Sequence, residues 1–129
     1  MAILKTPMGR VRGKGSAKDG TQTFWRQRLT AIALIPLAAI FVGLMISLVG
    51  DDYSEAAEMM TSPLVGVVML MFILIGFYHL SIGLVHIVED YVHAELVKIG
   101  LVAAINLGCV ALGLACILSV LKLSFGSAA

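Results

Sequence analysis

The stretch LVGVVMLMFILIGFYHLSIGLVHIV, residues 64–88, decides the fold of this chain. It contains no Asp, Glu, Lys or Arg, and as an α-helix rising about 1.5 Å per residue it exceeds the roughly 30 Å of hydrocarbon in a bilayer. A helix suits that passage because it satisfies every backbone N–H and C=O within its own segment. Two imidazoles interrupt the apolar run. His79, Gly83 and His86 within it, with Asp90 and His93 just beyond, fall within roughly 80° of one another at about 100° per residue, on one helical face. Ionisable or ligating side chains are expensive in hydrocarbon, so this face is expected to look onto a cofactor, a cavity or a partner subunit.

Two more apolar runs flank this one, Leu29 to Val49 and Val97 to Leu121. Hydrophobic residues make up 60% of the 129, charged residues 13%, and the mean hydropathy is +1.01, which excludes a soluble globular domain. The expected fold is an all-α membrane protein with three transmembrane helices. Residues 1–28 form a basic arm, 29–49, 64–88 and 97–121 the spans, 50–63 an acidic loop, 89–96 a second loop and 122–129 a tail. Neither loop has room for a catalytic domain. Any water-soluble chemistry must belong to a partner.

Charge sets the expected orientation. Seven of the nine basic residues, Lys5, Arg10, Arg12, Lys14, Lys18, Arg26 and Arg28, precede the first span, while the first loop carries Asp51, Asp52, Glu55 and Glu58 with no Lys or Arg. The positive-inside rule then places the N-terminus in the cytoplasm, the first loop outside, the second inside and the C-terminus on the external, periplasmic side. The Gly- and Ser-containing arm lacks the aromatic interleaving of a nucleic-acid module, so it reads as a topology signal that touches anionic headgroups or a soluble partner, with no nucleic acid. The first run is too long for a signal-peptide core and is expected to be retained. Where the chain enters the membrane stand Trp25, Arg26, Gln27 and Arg28. They form an interfacial anchor, or, on the sharper reading, Arg28 neutralises an anionic group of a buried cofactor through its bidentate guanidinium.

The third span offers packing rather than chemistry. Cys109 and Cys116 lie about 10.5 Å apart along a helix axis, too far for an intrahelical disulfide. Gly100, Ala104 and Gly108, followed by Ala111 and Ala115, form a small-residue face suited to close helix contact. On the second span, Gly76 and Gly83 lie about 60° and 40° from His79 and leave room beside its ring. An imidazole flanked by glycines in an apolar wall suits an axial haem ligand whose opposite ligand comes from elsewhere; a hydrogen-bonded packing histidine is the plain alternative. Zinc fits less well, because His79 and His86 are two turns apart with no carboxylate at depth. A two-haem arrangement using His79 and His93, about 21 Å apart along a helix, lacks partner histidines elsewhere in the chain. At the end of the span, Glu89-Asp90-Tyr91-Val92-His93 is either interface decoration or part of a quinone site, where a phenol donates to a carbonyl oxygen and acids supply protons.

The run His79-x3-Gly83-x6-Asp90-Tyr91, with Gln27-Arg28-Leu29-Thr30-Ala31 opening a three-span chain, resembles the small hydrophobic membrane anchor subunits of succinate dehydrogenase, the succinate–quinone oxidoreductase of respiratory complex II. The resemblance covers about residues 16–121, and the spacing from His to Asp-Tyr is its specific part. It implies that His79 is an axial ligand of a haem b shared with a sister anchor and that Tyr91 hydrogen-bonds ubiquinone with support from Asp90. It also implies that Arg28 lies near the haem propionates. His86 has no fixed family role and stands as a neighbouring or propionate contact because of its place on the stripe.

The resemblance further implies partners in the lipid bilayer: a flavoprotein subunit carrying FAD, an iron–sulfur subunit with its clusters, and the second anchor. It implies the bacterial cytoplasmic (inner) membrane in preference to the mitochondrial one, and no dehydrogenase active site within this chain. A fumarate reductase anchor shares the architecture and runs the reaction in reverse. A small proton-relay or transporter subunit is the rival of another class, weakened by the lack of an internal repeat or broken helix.

Overall fold

The computed structural model describes residues 17–126, with side chains from residue 21 onward. Most of the basic arm, including Lys5, Arg10, Arg12 and Lys14, and the last three tail residues lie outside the described residues. Four helices account for the described chain: α1 (Ala17–Ser47), α2 (Tyr53–Thr61), α3 (Pro63–Tyr91) and α4 (Glu95–Phe125). Three of them, α1, α3 and α4, are long and apolar enough to cross a membrane.

The helices outrun the apolar spans. Hydropathy marks only the part of a helix suited to hydrocarbon, whereas the backbone bonds continue until a breaker or a chain reversal stops them. Thus α1 starts well before Leu29, and the acidic loop contains α2. The chain leaves α1 through Gly50, whose φ of +95° is open to glycine and strained for other residues. It enters α3 with Pro63 at the first helical position, where a missing N–H leaves nothing unsatisfied. Between α3 and α4 only Val92, His93 and Ala94 remain. The Lys98 ammonium reaches back to donate to the Glu89 carbonyl at 3.1 Å, placing a cation on the C-terminal end of α3.

Helix α3 is central, packing against α1 on one side and α4 on the other. At the end remote from Arg28, Met60 of α2, Met69 of α3 and Val120 of α4 form a small core, with Phe41 and Leu44 of α1 packed on it. Phe41 stacks on Phe72, ring centroids 4.6 Å apart and planes 14° from parallel. Only six hydrophobic side chains are buried among the described residues, and none is fully enclosed. Most of the apolar surface therefore meets lipid or another chain.

Within this chain the small-residue face of α4 makes no close helix contact. A Cβ placed on Gly100 or Gly108 would have no atom within 4 Å, and Ala104, Ala111 and Ala115 are exposed. Helix α4 instead turns Cys109, Gly113 and Val120 inward, because the bulky partner on α3 is Phe77: its ring would lie 3.5 Å from a Cβ on Gly113. Gly113→Ala is therefore expected to be nearly neutral, whereas Gly113→Leu drives branches into that ring and destabilises by about 1–3 kcal/mol. Thermal unfolding of the detergent-solubilised protein checks this, with Gly100→Leu as the silent control. Equal losses at both glycines would refute the packing.

Candidate functional site

The seam between α1 and α3 brings the sequence-flagged residues together. The two helices run antiparallel, and successive turns of α1 meet successive turns of α3. A Cβ on Gly76 would lie 4.0 Å from Leu34, and one on Gly83 would lie 3.9 Å from the Gln27 amide nitrogen. Between them, His79 Nδ1 sits 2.8 Å from Thr30 Oγ1. At both glycines the nearest α1 atom stands at ordinary contact distance, so a methyl group would be accommodated there.

The His79 ring is half-buried. The threonine it touches is itself held to its own helix: Thr30 Oγ1 lies 2.8 Å from the Arg26 carbonyl oxygen and 3.0 Å from that of Gln27. Two turns nearer the Arg28 end, His86 Nδ1 is 2.7 Å from the Ile82 carbonyl oxygen. A carbonyl only accepts, so Nδ1 of His86 carries the proton and donates. Its Nε2 is left for another group.

His86 shares a cavity of about 420 Å³ with Phe24, Gln27 and Arg28. The Arg28 guanidinium carbon stands 4.6 Å above the centre of the Phe24 ring, a cation–π contact that holds a delocalised charge beside the cavity. A guanidinium and a carboxamide supply donors suited to a carboxylate, with the His86 ring as the facing wall. Arg28 and His86, far apart in sequence, are brought to one site. On the other side of His86 a second cleft of about 560 Å³ is lined by Arg26, Tyr78, Ser81, Glu89 and Asn106 among others. There the Ser81 hydroxyl donates to Asn106 Oδ1 at 2.6 Å, joining α3 to α4.

Asp90 and Tyr91 close α3, and both are exposed. They are adjacent in sequence, so they point about 100° apart, Asp90 on the His79 face and Tyr91 away from it. Tyr91 is 79% exposed, a phenol presented outward from the helix end. His93 does not continue the helical stripe. The helix stops at Tyr91, and Val92 takes an extended conformation (φ −99°, ψ 112°) as the chain turns to bring α4 back along α3. The stripe therefore ends at Asp90.

Among the described residues no three His, Cys, Asp or Glu gather to hold a metal ion. A closed zinc site has no ligand set there, whereas a single axial imidazole needs none. Sequence reasoning passed over Thr30 and Gln27 as site residues. Their roles depend on the antiparallel register of two helices, which no local pattern encodes. Asn106, a lone carboxamide in an apolar span, did carry a signal.

The sequence matches the family model described as succinate dehydrogenase/fumarate reductase transmembrane subunit over residues 3–121. Among curated proteins, it is 24% identical over 103 residues to the succinate dehydrogenase hydrophobic membrane anchor subunit of Paracoccus denitrificans, with 80% of each chain covered. It is also 24% identical over 98 residues to the protein of the same description from Rickettsia bellii (strain RML369-C), covering 76% of this chain and 78% of that one. No solved structure matches.

Proposed function

The chain belongs to the succinate dehydrogenase/fumarate reductase transmembrane subunit family, as a membrane anchor subunit of succinate dehydrogenase, and on that premise we propose that it contributes one axial ligand to a shared haem b and one wall of the ubiquinone site. The observation that carries this reading is the content of the α1–α3 seam: an imidazole at depth, with a guanidinium and a second imidazole around one cavity two turns closer to the helix end. Those are the groups needed to hold a metal centre in hydrocarbon and to neutralise carboxylates projecting from it.

In this reading His79 would offer Nε2 to the iron and Arg28 would pair with the propionates, with His86 beside them and Phe24 backing the guanidinium. A second protein ligand would come from a second anchor, since this chain provides a single imidazole at that depth. A haem bound there supplies a one-electron carrier inside the hydrocarbon. The residues of this chain fix where it sits and exclude water from its apolar sides.

At the end of α3, Tyr91 presents its phenol to a carbonyl oxygen of the quinone, and Asp90 hands on protons from the aqueous side. The exposure of Tyr91 agrees with a pocket whose remaining walls belong to other subunits. Electrons come from succinate oxidation in a flavoprotein, through an iron–sulfur subunit docked at the Arg28 and Tyr91 end. By the asymmetry of basic residues, that end faces the cytoplasm of a bacterium. This chain carries out no succinate chemistry. A fumarate reductase anchor is the same device with the reaction reversed.

An optical difference spectrum of the assembled complex tests the haem assignment. His79→Ala is expected to abolish or convert the reduced-minus-oxidised b-type signal, and His93→Ala to leave it intact. An unchanged low-spin spectrum in His79→Ala would overturn the assignment. Arg28→Leu is expected to weaken haem retention or shift its potential, with Arg28→Lys milder; normal content and potential in Arg28→Leu would reduce that residue to an interfacial anchor.

The quinone role is read from a ratio of activities in one preparation. Tyr91→Phe keeps the ring and deletes the donor, a loss on the order of 1–3 kcal/mol, so quinone-linked turnover is expected to fall about tenfold or more. Succinate oxidation with an artificial acceptor upstream of quinone stays near normal. If the ratio of the two does not change, Tyr91 makes no essential hydrogen bond.

A further inference from the structure

Thr30 has three polar atoms within 3.0 Å of its hydroxyl oxygen, and one hydroxyl proton to share among them. Its single hydroxyl proton has the Arg26 carbonyl at 2.8 Å, the Gln27 carbonyl at 3.0 Å and His79 Nδ1 at 2.8 Å as possible destinations. If the hydroxyl donated to His79, its lone pairs would face two carbonyl oxygens within 3.0 Å with no proton between them. Oxygen atoms at such distances repel unless a hydrogen bond joins them. If it donates instead to its own helix, a lone pair faces the histidine, and the proton between Thr30 and His79 must be carried by Nδ1. In the second arrangement the one hydroxyl proton is shared between the two carbonyls as a bifurcated bond and Nδ1–H serves the third contact, so no short contact lacks a proton.

We propose that Thr30 is a positioning residue for His79: its hydroxyl, locked onto the α1 backbone, accepts from Nδ1–H and so fixes the imidazole as the tautomer with a free Nε2 lone pair. This rests on the proposed role of His79 as a haem ligand and adds to it what sets the orientation and basicity of that ligand. An imidazole that donates through one nitrogen is a stronger electron donor at the other. The acceptor is itself anchored, so the ring cannot turn without breaking the contact. The 2.8 Å bond also spans two helices, which couples the ring angle to the α1–α3 register. An intramembrane side-chain bond of this kind is enough to orient a ring and too little to hold two helices together. Thr30 therefore acts on the ligand more than on the fold.

The experiment compares Thr30→Val, which keeps the branched shape and removes the hydroxyl, with Thr30→Ser, which keeps the hydroxyl, in the assembled complex purified from membranes. The readouts are haem content, the midpoint potential of the b-type haem and its low-spin electron paramagnetic resonance signal. Thr30→Val is expected to retain haem but raise its midpoint potential, because a less basic Nε2 stabilises the oxidised iron less. Its resonance signal should broaden as the ring is freed. Thr30→Ser is expected to return both to the wild-type position. If Thr30→Val does not assemble, Thr30→Ala takes its place, with no branch to misplace.

A hydroxyl-free variant with wild-type potential and resonance would overturn the inference while leaving the haem reading intact. So would one that loses haem while the remainder keeps its potential, which marks a packing role alone, or a shift that Thr30→Ser fails to reverse. Absence of any b-type signal in the wild-type complex is the separate result that sinks the haem reading itself.

Discussion

Everything at the candidate site depends on α1 coming close enough to α3 for a threonine hydroxyl to touch a histidine ring. Gly76 and Gly83 of α3 face Leu34 and Gln27 of α1 at ordinary contact distance, and Thr30 arrives between them at 2.8 Å from His79. The same register carries Arg28 and Phe24 to the level of His86, completing a cavity that neither helix forms alone. A helix pair in lipid gains little from burying apolar surface, since the tails outside are equally apolar; close fit and a few polar contacts decide the register instead. Here the polar contact between the helices and the groups proposed to bind the cofactor occupy the same seam.

The acidic end is built differently. Met60, Met69 and Val120 close it with ordinary apolar packing, and the stacked Phe41 and Phe72 rings tie α1 to α3 there. The bundle is thus fastened by hydrocarbon contact at one end and by polar contact toward the other. An apolar cavity of about 560 Å³ opens beside the phenylalanine pair, bordered by Gly76, Leu112 and Cys116. It lies on the face of α3 turned away from Tyr78 and Glu89, so the polar cleft around Asn106 and this apolar one are separated by α3 itself.

Much of this was legible in the residues. The three spans follow from runs rich in Leu, Val and Ile and nearly free of charge, and the spacing from His79 to Asp90 and Tyr91 led to the family that the comparisons support. The short helix Tyr53–Thr61 was hidden because the acidic residues that mark a loop in hydropathy also suit a helix at the membrane surface. The face of α4 that packs within the chain was hidden for a related reason: Gly100, Ala104 and Gly108 announce where a helix can be approached, and the choice of Gly113 was made by Phe77, a residue on another element. His93 kept the helical period on paper and lost it in space, since periodicity carries no information about where a chain turns. Thr30 had the weakest signal of all. A threonine near the start of an apolar span is unremarkable until its neighbour across the seam is known.

The scarcity of interior in this bundle bears on how the protein is kept. With six buried hydrophobic side chains among the described residues, the helices gain little free energy from one another. Whatever binds only the folded arrangement adds its own binding free energy to it, by mass action. The structure of such a chain is then a property of its concentration and company as much as of its sequence. Made in excess, it would populate loosened forms open to membrane proteases; made in balance, each copy is sheltered by what it meets. Sparse packing of this kind turns proportion among gene products into a requirement for persistence, and the bilayer becomes a place where unmatched copies are counted out.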